Sequence, residues 1–247
     1  MKDLTKGDET RQLIWFALPM LLGNVFQQFY NMVDSFVVGR FIGTSALAAV
    51  GTSFPIIFFM LALITGVTMG STVLISQFFG AKDMESLKKV ITTSYIFIFA
   101  VGIVMTIVGI FSTNFILKAL AVPDDIMPEA AAYLRIIFAG MLTTFGYNGV
   151  AAMLRGLGDS KTPLYLLIAS TLINVVLDLV FVIVFKWGVA GAAWATIISQ
   201  AISFFGAMII LDKKNQFVRL DYRNLRWDKA AFAQMMRIGL PTGIQQT

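Results

Sequence analysis

The 247-residue sequence contains no cysteine and no histidine. Without cysteine there is no disulfide framework, thiolate metal ligand or sulfur nucleophile, and without histidine the commonest proton shuttle and metal ligand is missing too. Any proton chemistry therefore falls to carboxylates. Charge is also scarce, at 13% of residues against about 25% in a soluble domain. No cleavable signal is apparent, because the first eleven residues are polar and lead straight into a long apolar stretch with no small-residue cleavage site behind it.

What is there is apolar. Hydrophobic residues make up 57% of the chain, with 22 Phe and 13 Met, and the mean hydropathy is +0.79. No charge interrupts the stretch between Phe41 and Ala81, nor 90–117, 136–154 and 187–211, each near or above the roughly 20 residues that a spanning helix needs. Two more apolar segments, 12–38 and 162–185, hold one charge each away from their ends, Asp34 and Asp178. The pattern predicts an all-α polytopic membrane protein with helices at about 12–38, 46–76, 88–117, 129–154, 163–185 and 189–211. It divides the chain into a six-helix transmembrane lobe over 1–211, a cytoplasmic linker over 212–232 resting on lipid headgroups, and the start of a second lobe over 233–247, which stops in mid-helix.

A pI near 9.5 raises the question of nucleic acid, and the positions of the positive charges answer it. With the N-terminus in the cytoplasm, fifteen of the nineteen basic residues fall on the inner side, and Arg40, Lys118, Arg135 and Lys186 remain outside. That is the positive-inside bias of a multi-pass protein of the inner (plasma) membrane. No basic face with interleaved aromatics suggests a nucleic-acid partner.

The last helix repeats the first. Gln234 to Pro241 lies over Gln12 to Pro19 at a constant offset, with Gln, Leu and Pro identical, and both segments enter the membrane from the same side after charged residues. Parallel repeats of this kind are related by an axis along the membrane normal, so a parent of about twelve helices is expected, from which a C-terminal lobe is missing here.

An acid inside a span is a functional candidate by default, because its charged form is costly there unless paired or hydrated. On the first helix Asn24, Gln27, Asn31 and Asp34 share one face with Tyr30 close by; on the fifth, Asn174 and Asp178 stand one turn apart; on the sixth, Thr196, Ser199, Gln200 and Ser203 form a polar stripe. At 1.5 Å per residue Asp34 lies ~9 Å below Arg40, while Asp178 and Thr196 lie ~12 Å below Lys186 and Gly188. The three helices thus offer polar groups at one level, suited to a shared cation or proton site or to structural hydrogen bonding. Pro19 frees one backbone carbonyl of the first helix and makes either a static bend or a moving hinge. Gly66 and Gly70 on the second helix read as helix packing. The stretch Gly156 to Thr162 looks like a phosphate loop but lacks the Gly before Lys161 and joins two spans instead of following a strand, so ATP is not expected to act here.

These residues resemble the multidrug and toxic compound extrusion family, in its prokaryotic branch of NorM-like and DNA-damage-inducible antiporters. The resemblance runs along the whole chain and rests on Asn31-Met-Val-Asp34 with Gly39 and Gly43, on Leu47 to Thr52, on Ser76 to Lys82 and most of all on Leu154 to Pro163. It implies a lobe that is half of a twelve-helix, V-shaped transporter. It further implies a cation or proton-coupling site at Asp34, Asn174, Asp178 and Thr196, with Pro19 as the bending residue; Gln27, Tyr30, Asn31 and Gln200 are expected around the cavity. The implied function is secondary efflux of amphipathic or cationic compounds against H+ or Na+, with no cofactor and no enzymatic activity, and no metal beyond Na+ at the coupling site. A lipid-linked oligosaccharide or lipid flippase of the same superfamily is the alternative, and it would want an intramembrane Arg or Lys cluster that the sequence lacks. A membrane-embedded enzyme is the third reading, short of catalytic residue types.

Overall fold

The computed structural model describes residues 9–214 and 225–246, and within them the chain is helical with no strand. Eight helices follow in order: α1 Glu9–Phe41, α2 Thr44–Gly80, α3 Met84–Ala119, α4 Met127–Ala139, α5 Met141–Gly156, α6 Lys161–Asp178, α7 Gly188–Lys214 and α8 Lys229–Gln246. Residues 215–224, the middle of the expected linker, lie outside this description.

The six expected helices are all present. Four of them, α2, α3, α6 with its continuation to Val184, and α7, are long and apolar enough to cross a membrane alone, and α4 with α5 makes a fifth span bent by 47°. At 33 residues α1 runs about 50 Å, but Asn24, Gln27, Gln28, Asn31 and Asp34 lower its apolarity. Its length is that of a span and its composition that of a helix with one wet or inward face.

The fourth helix was expected to be continuous over 129–154 and is broken at Gly140. The pair is pressed against α7 at this point: a Cβ at Gly140 would run into the Ile197 side chain, which accounts for the glycine, and Thr143 donates its hydroxyl back to the Gly140 carbonyl at 2.8 Å. The fifth helix also differs from expectation. It is α-helical to Asp178 and then widens into a π-helical turn over Leu179–Val184, with the Phe185 N–H donating to the Val180 carbonyl at 2.9 Å. Turns of this kind mark functional sites in many helices, and this one begins at the carboxylate.

The loops stop one helix and start the next. After α5 the Gly158 N–H returns to the Arg155 carbonyl and the Asp159 N–H to the Leu154 carbonyl, both at 2.9 Å, with Gly158 at φ +83°; this is a left-handed helix stop. Asp159 then accepts the Thr162 N–H at 3.0 Å and the Thr162 hydroxyl at 2.6 Å, which caps α6. The segment that looked like a phosphate loop is thus a helix stop joined to a helix start. At the corresponding turn between α2 and α3, Asp83 accepts the Ser86 N–H at 3.0 Å, and hydrogen bonding to Ser86 holds its carboxyl below the usual range.

Between helices the contacts are close. Ser170 on α6 donates to the Ser199 carbonyl at 3.1 Å and Ser203 on α7 to the Leu166 carbonyl at 3.2 Å, so two hydroxyls stitch α6 to α7. Phe138, Phe145, Leu134, Met141 and Met153 of the bent pair are fully buried at the centre of the bundle. Gly66 and Gly70 of α2 meet α8 at backbone distance: a Cβ on Gly66 would lie 2.6 Å from the Gly243 Cα, and one on Gly70 would strike the Met235 carbonyl. The packing read into these two glycines is what they do.

Candidate functional site

Burial singles out one group of polar side chains. Asp34 is 6% exposed, and Asn174 and Asp178 are 0% exposed. Tyr30 is buried beside them, one turn before Asp34 on α1. α6 places Asn174 and Asp178 one turn apart on its buried face, and the 18-residue α6 lies along α1, where Gly23 meets Leu164 and Leu167.

The structure brings these residues together. Asp178 interacts electrostatically with Asp34, and Tyr30 with Asp34 and Asp178. The Tyr30 hydroxyl also sits beside Thr196 and Ser199 of α7, without full hydrogen-bond geometry to either. Ser199 is already committed, donating to the Thr196 carbonyl at 2.8 Å, and Ser203 is used in stitching α7 to α6. Of the polar stripe on α7, Thr196 and Gln200 therefore remain for the site, both half-buried.

What distinguishes the cluster is unmet hydrogen-bonding capacity. Asp34 Oδ1, both Asn174 side-chain atoms, both Asp178 carboxyl oxygens, the Tyr30 hydroxyl and Gln200 Oε1 are buried with no hydrogen-bond partner. Buried polar atoms in folded proteins are almost all paired, so several with free hydrogen-bonding capacity in one place mark a spot able to hold a proton, an ion or water. The donor set is all oxygen and amide, which suits a proton or a hard monovalent cation. Among the described residues no three acidic side chains gather as a metal site.

The remaining expected residues take graded positions. Gln27 and Asn31 are half-buried on the face of α1 that carries Asp34, whereas Asn24 is exposed. Pro19 is buried inside α1, fifteen residues before Asp34. One member of the site was not foreseen: Tyr133 of α4, 4% exposed, interacts with Asp34, Tyr30 and Asp178. Its depth was the available signal, one turn inside the span that begins near Glu129.

A separate cavity of about 220 Å³ opens between α2, α3, α5 and α8. Its walls are apolar, with Phe97, Met105, Phe145 and Met236 among them. It contains none of the carboxylates, so the apolar space and the polar cluster are distinct features of the bundle.

Comparison with known proteins follows the same lines. The MatE family model matches residues 19–180. The "Probable multidrug resistance protein YoeA" of Bacillus subtilis (strain 168) is 38% identical over 97% of this chain and 53% of its own length. The "Probable multidrug resistance protein NorM" of Thermotoga maritima is 28% identical over 95% of this chain and 51% of its own. Among solved structures, MATE in the bent conformation superposes with a TM-score of 0.92 at 27% identity, over 100% of this chain and 55% of that one. MATE in the straight conformation gives 0.91 at 27% identity, over 99% and 54%. The chain spans about half the length of the relatives it matches.

Proposed function

The chain belongs to the MatE family, and on that premise we propose that it supplies the ion-coupling lobe of a secondary multidrug antiporter, in which inward flow of H+ or Na+ drives extrusion of amphipathic, often cationic compounds. The observation that carries the proposal is the cluster of buried, unpartnered polar atoms at Asp34, Asn174 and Asp178, with the half-buried Thr196 of a third helix beside Tyr30, in a lipid-facing bundle. A charged group is tolerated there only with a partner, so the two carboxylates hold a proton or a cation and give it up when water reaches them. Tyr30 and Tyr133 line the cluster, with Gln27, Asn31 and Gln200 on its approaches. The relatives named for multidrug resistance support the substrate class.

The lobe needs no cofactor and performs no covalent chemistry, since the ion is cargo and the work comes from its gradient. One charge moving through 100 mV supplies about 2.3 kcal/mol, and a tenfold drug gradient takes about 1.4 kcal/mol. Pro19 is proposed as the bend of α1 that follows the state of the cluster; solved relatives in bent and straight conformations support two shapes of the fold. The basic residues support a plasma-membrane orientation with a cytoplasmic N-terminus and a cytoplasmic linker; the linker expected over 212–232 is shorter than that, since α7 runs to Lys214 and α8, the proposed start of a second lobe, begins at Lys229.

Ethidium efflux from proteoliposomes of the two-lobe protein tests the reading, with proton and sodium gradients imposed separately on wild type and Asp178→Asn. One gradient should drive efflux in the wild type, and the substitution should abolish it. Efflux indifferent to Asp178, or absent alongside lipid-linked sugar translocation, would replace antiport with the flippase reading.

A further inference from the structure

One cation at the inner end of the bundle is left without an acceptor. Arg155 lies in the last turn of α5 and is half-buried, yet among the described residues it makes no ion pair and no side-chain hydrogen bond; the ion pair that is present joins Lys89 to Glu85 at 2.7 Å. The titratable group that acts on Arg155 is Tyr147, a neutral phenol whose hydroxyl donates to the Pro163 carbonyl at 3.1 Å. A guanidinium carries five N–H donors and no acceptor, and a charge drawn partly out of water is costly until it is paired.

The neighbouring carboxylates are engaged elsewhere. Asp159, four residues on, accepts the Thr162 N–H and hydroxyl. Asp83 caps α3 through the Ser86 N–H, Glu85 holds Lys89, and Asp228 caps α8 through the Ala231 N–H at 2.8 Å. The backbone that carries Arg155 is fixed as well. The Gly158 N–H returns to the Arg155 carbonyl, a Cβ on Gly156 would meet the Ile75 side chain of α2 at 2.8 Å, and Leu154 and Leu157 are fully buried on either side. Beyond the turn, Lys161 is exposed at the start of α6 and adds a second positive charge.

We propose that Arg155 binds the phosphate of an anionic phospholipid of the inner leaflet at the turn between α5 and α6. The planar guanidinium fork suits two phosphate oxygens, and basic pockets between helices on the cytoplasmic side are where lipid head groups are held. Free phosphate offers the same chemistry, but anionic head groups stand at this level all around the protein and draw basic residues to them. The bound lipid supplies the negative charge that the engaged carboxylates do not. The inference rests on the proposed orientation, which sets this turn at the cytoplasmic leaflet, and is independent of the compound transported.

Thermal melting of the purified two-lobe protein in neutral detergent tests it, with phosphatidylglycerol, phosphatidylcholine or inorganic phosphate added to the wild type, Arg155→Gln, Arg155→Lys and, on the outer side, Lys118→Gln. Ethidium efflux from vesicles is followed in parallel. Phosphatidylglycerol should raise the melting temperature of the wild type and Lys118→Gln by several degrees, that of Arg155→Lys by less, and that of Arg155→Gln not at all; phosphatidylcholine should do little to any of them. An equal rise in Arg155→Gln and the wild type would overturn the site. A rise produced as fully by inorganic phosphate would overturn the lipid in favour of a free anion. A large fall in the melting temperature of Arg155→Gln before any lipid is added, with no phosphatidylglycerol effect on the wild type, would assign the guanidinium to a carboxylate of the second lobe instead. Phosphatidylglycerol binding through Arg155 in a wild type that shows no efflux would leave the site standing and count against antiport alone.

Discussion

A carboxylate buried in the middle of a bundle works against folding, because its charged form is poorly solvated there. Asp178 is such a group, so replacing it with the neutral, nearly isosteric asparagine removes an unfavourable term along with the proposed function. Asp178→Asn should therefore melt at the same temperature as the wild type or a few degrees higher while losing ion-driven efflux, and a large loss of melting temperature would mark the residue as structural instead. Site residues commonly trade stability for activity in this way. The opposite behaviour is expected at Gly158, whose φ of +83° ends α5 so that Asp159 can begin α6. Gly158→Ala should lower stability by about 1–2 kcal/mol, seen as an earlier melting transition with the coupling ion preference unchanged.

Helices in lipid associate through close packing and hydrogen bonds more than through burial from water, and the seam between α2 and α8 is built on that basis. Gly70→Leu would push a side chain into the Met235 carbonyl and should destabilise by about 1–3 kcal/mol; Gly51→Ala, with open space around its Cβ, should be neutral or slightly stabilising. Thermal melts of the pair separate packing from a general intolerance of glycine replacement. Ser203→Ala, which removes one of the two hydroxyl bonds between α6 and α7, should have a smaller effect of about 0.6 kcal/mol. The same physics decides what was legible in advance. Charge-free runs announce spans, because lipid excludes charge along a whole helix, and the face of α1 from Gln27 to Asp34 together with the Asn174 and Asp178 pair was readable from spacing alone. The break at Gly140 was not, since nothing in the charge-free run 136–154 sets Gly140 apart from the glycines inside other spans. Nor was the π turn after Asp178, where Leu179–Val184 reads as ordinary apolar helix. Tyr133 stayed hidden because its neighbours Ala130, Ala131 and Leu134 make α4 look like a plain core helix, and its role appears only when α4 is set against α1 and α6. On α7 the spacing predicts a polar stripe, and within it Ser199 and Ser203 bond to helix backbone.

The chain spans about half the length of its relatives, and its features are unevenly distributed. Its two buried carboxylates, Asp34 and Asp178, stand on α1 and α6, and its close glycine packing is between α2 and α8, so the element proposed to bend and the element closely packed lie on different helices. A bundle arranged this way can change α1 in response to an ion, as proposed, without loosening the seam between α2 and α8. In the proposed antiport, ion and drug bind the lobe in turn and exclude one another, with Asp178 as the group that exchanges the ion. That exclusion is tested most directly by adding tetraphenylphosphonium to the purified two-lobe protein in weak buffer and recording released protons with an indicator dye and released sodium with an ion-selective electrode. The account predicts release of one of these ions on drug binding by the wild type and none by Asp178→Asn; drug binding of equal affinity to both proteins with neither ion released would contradict it.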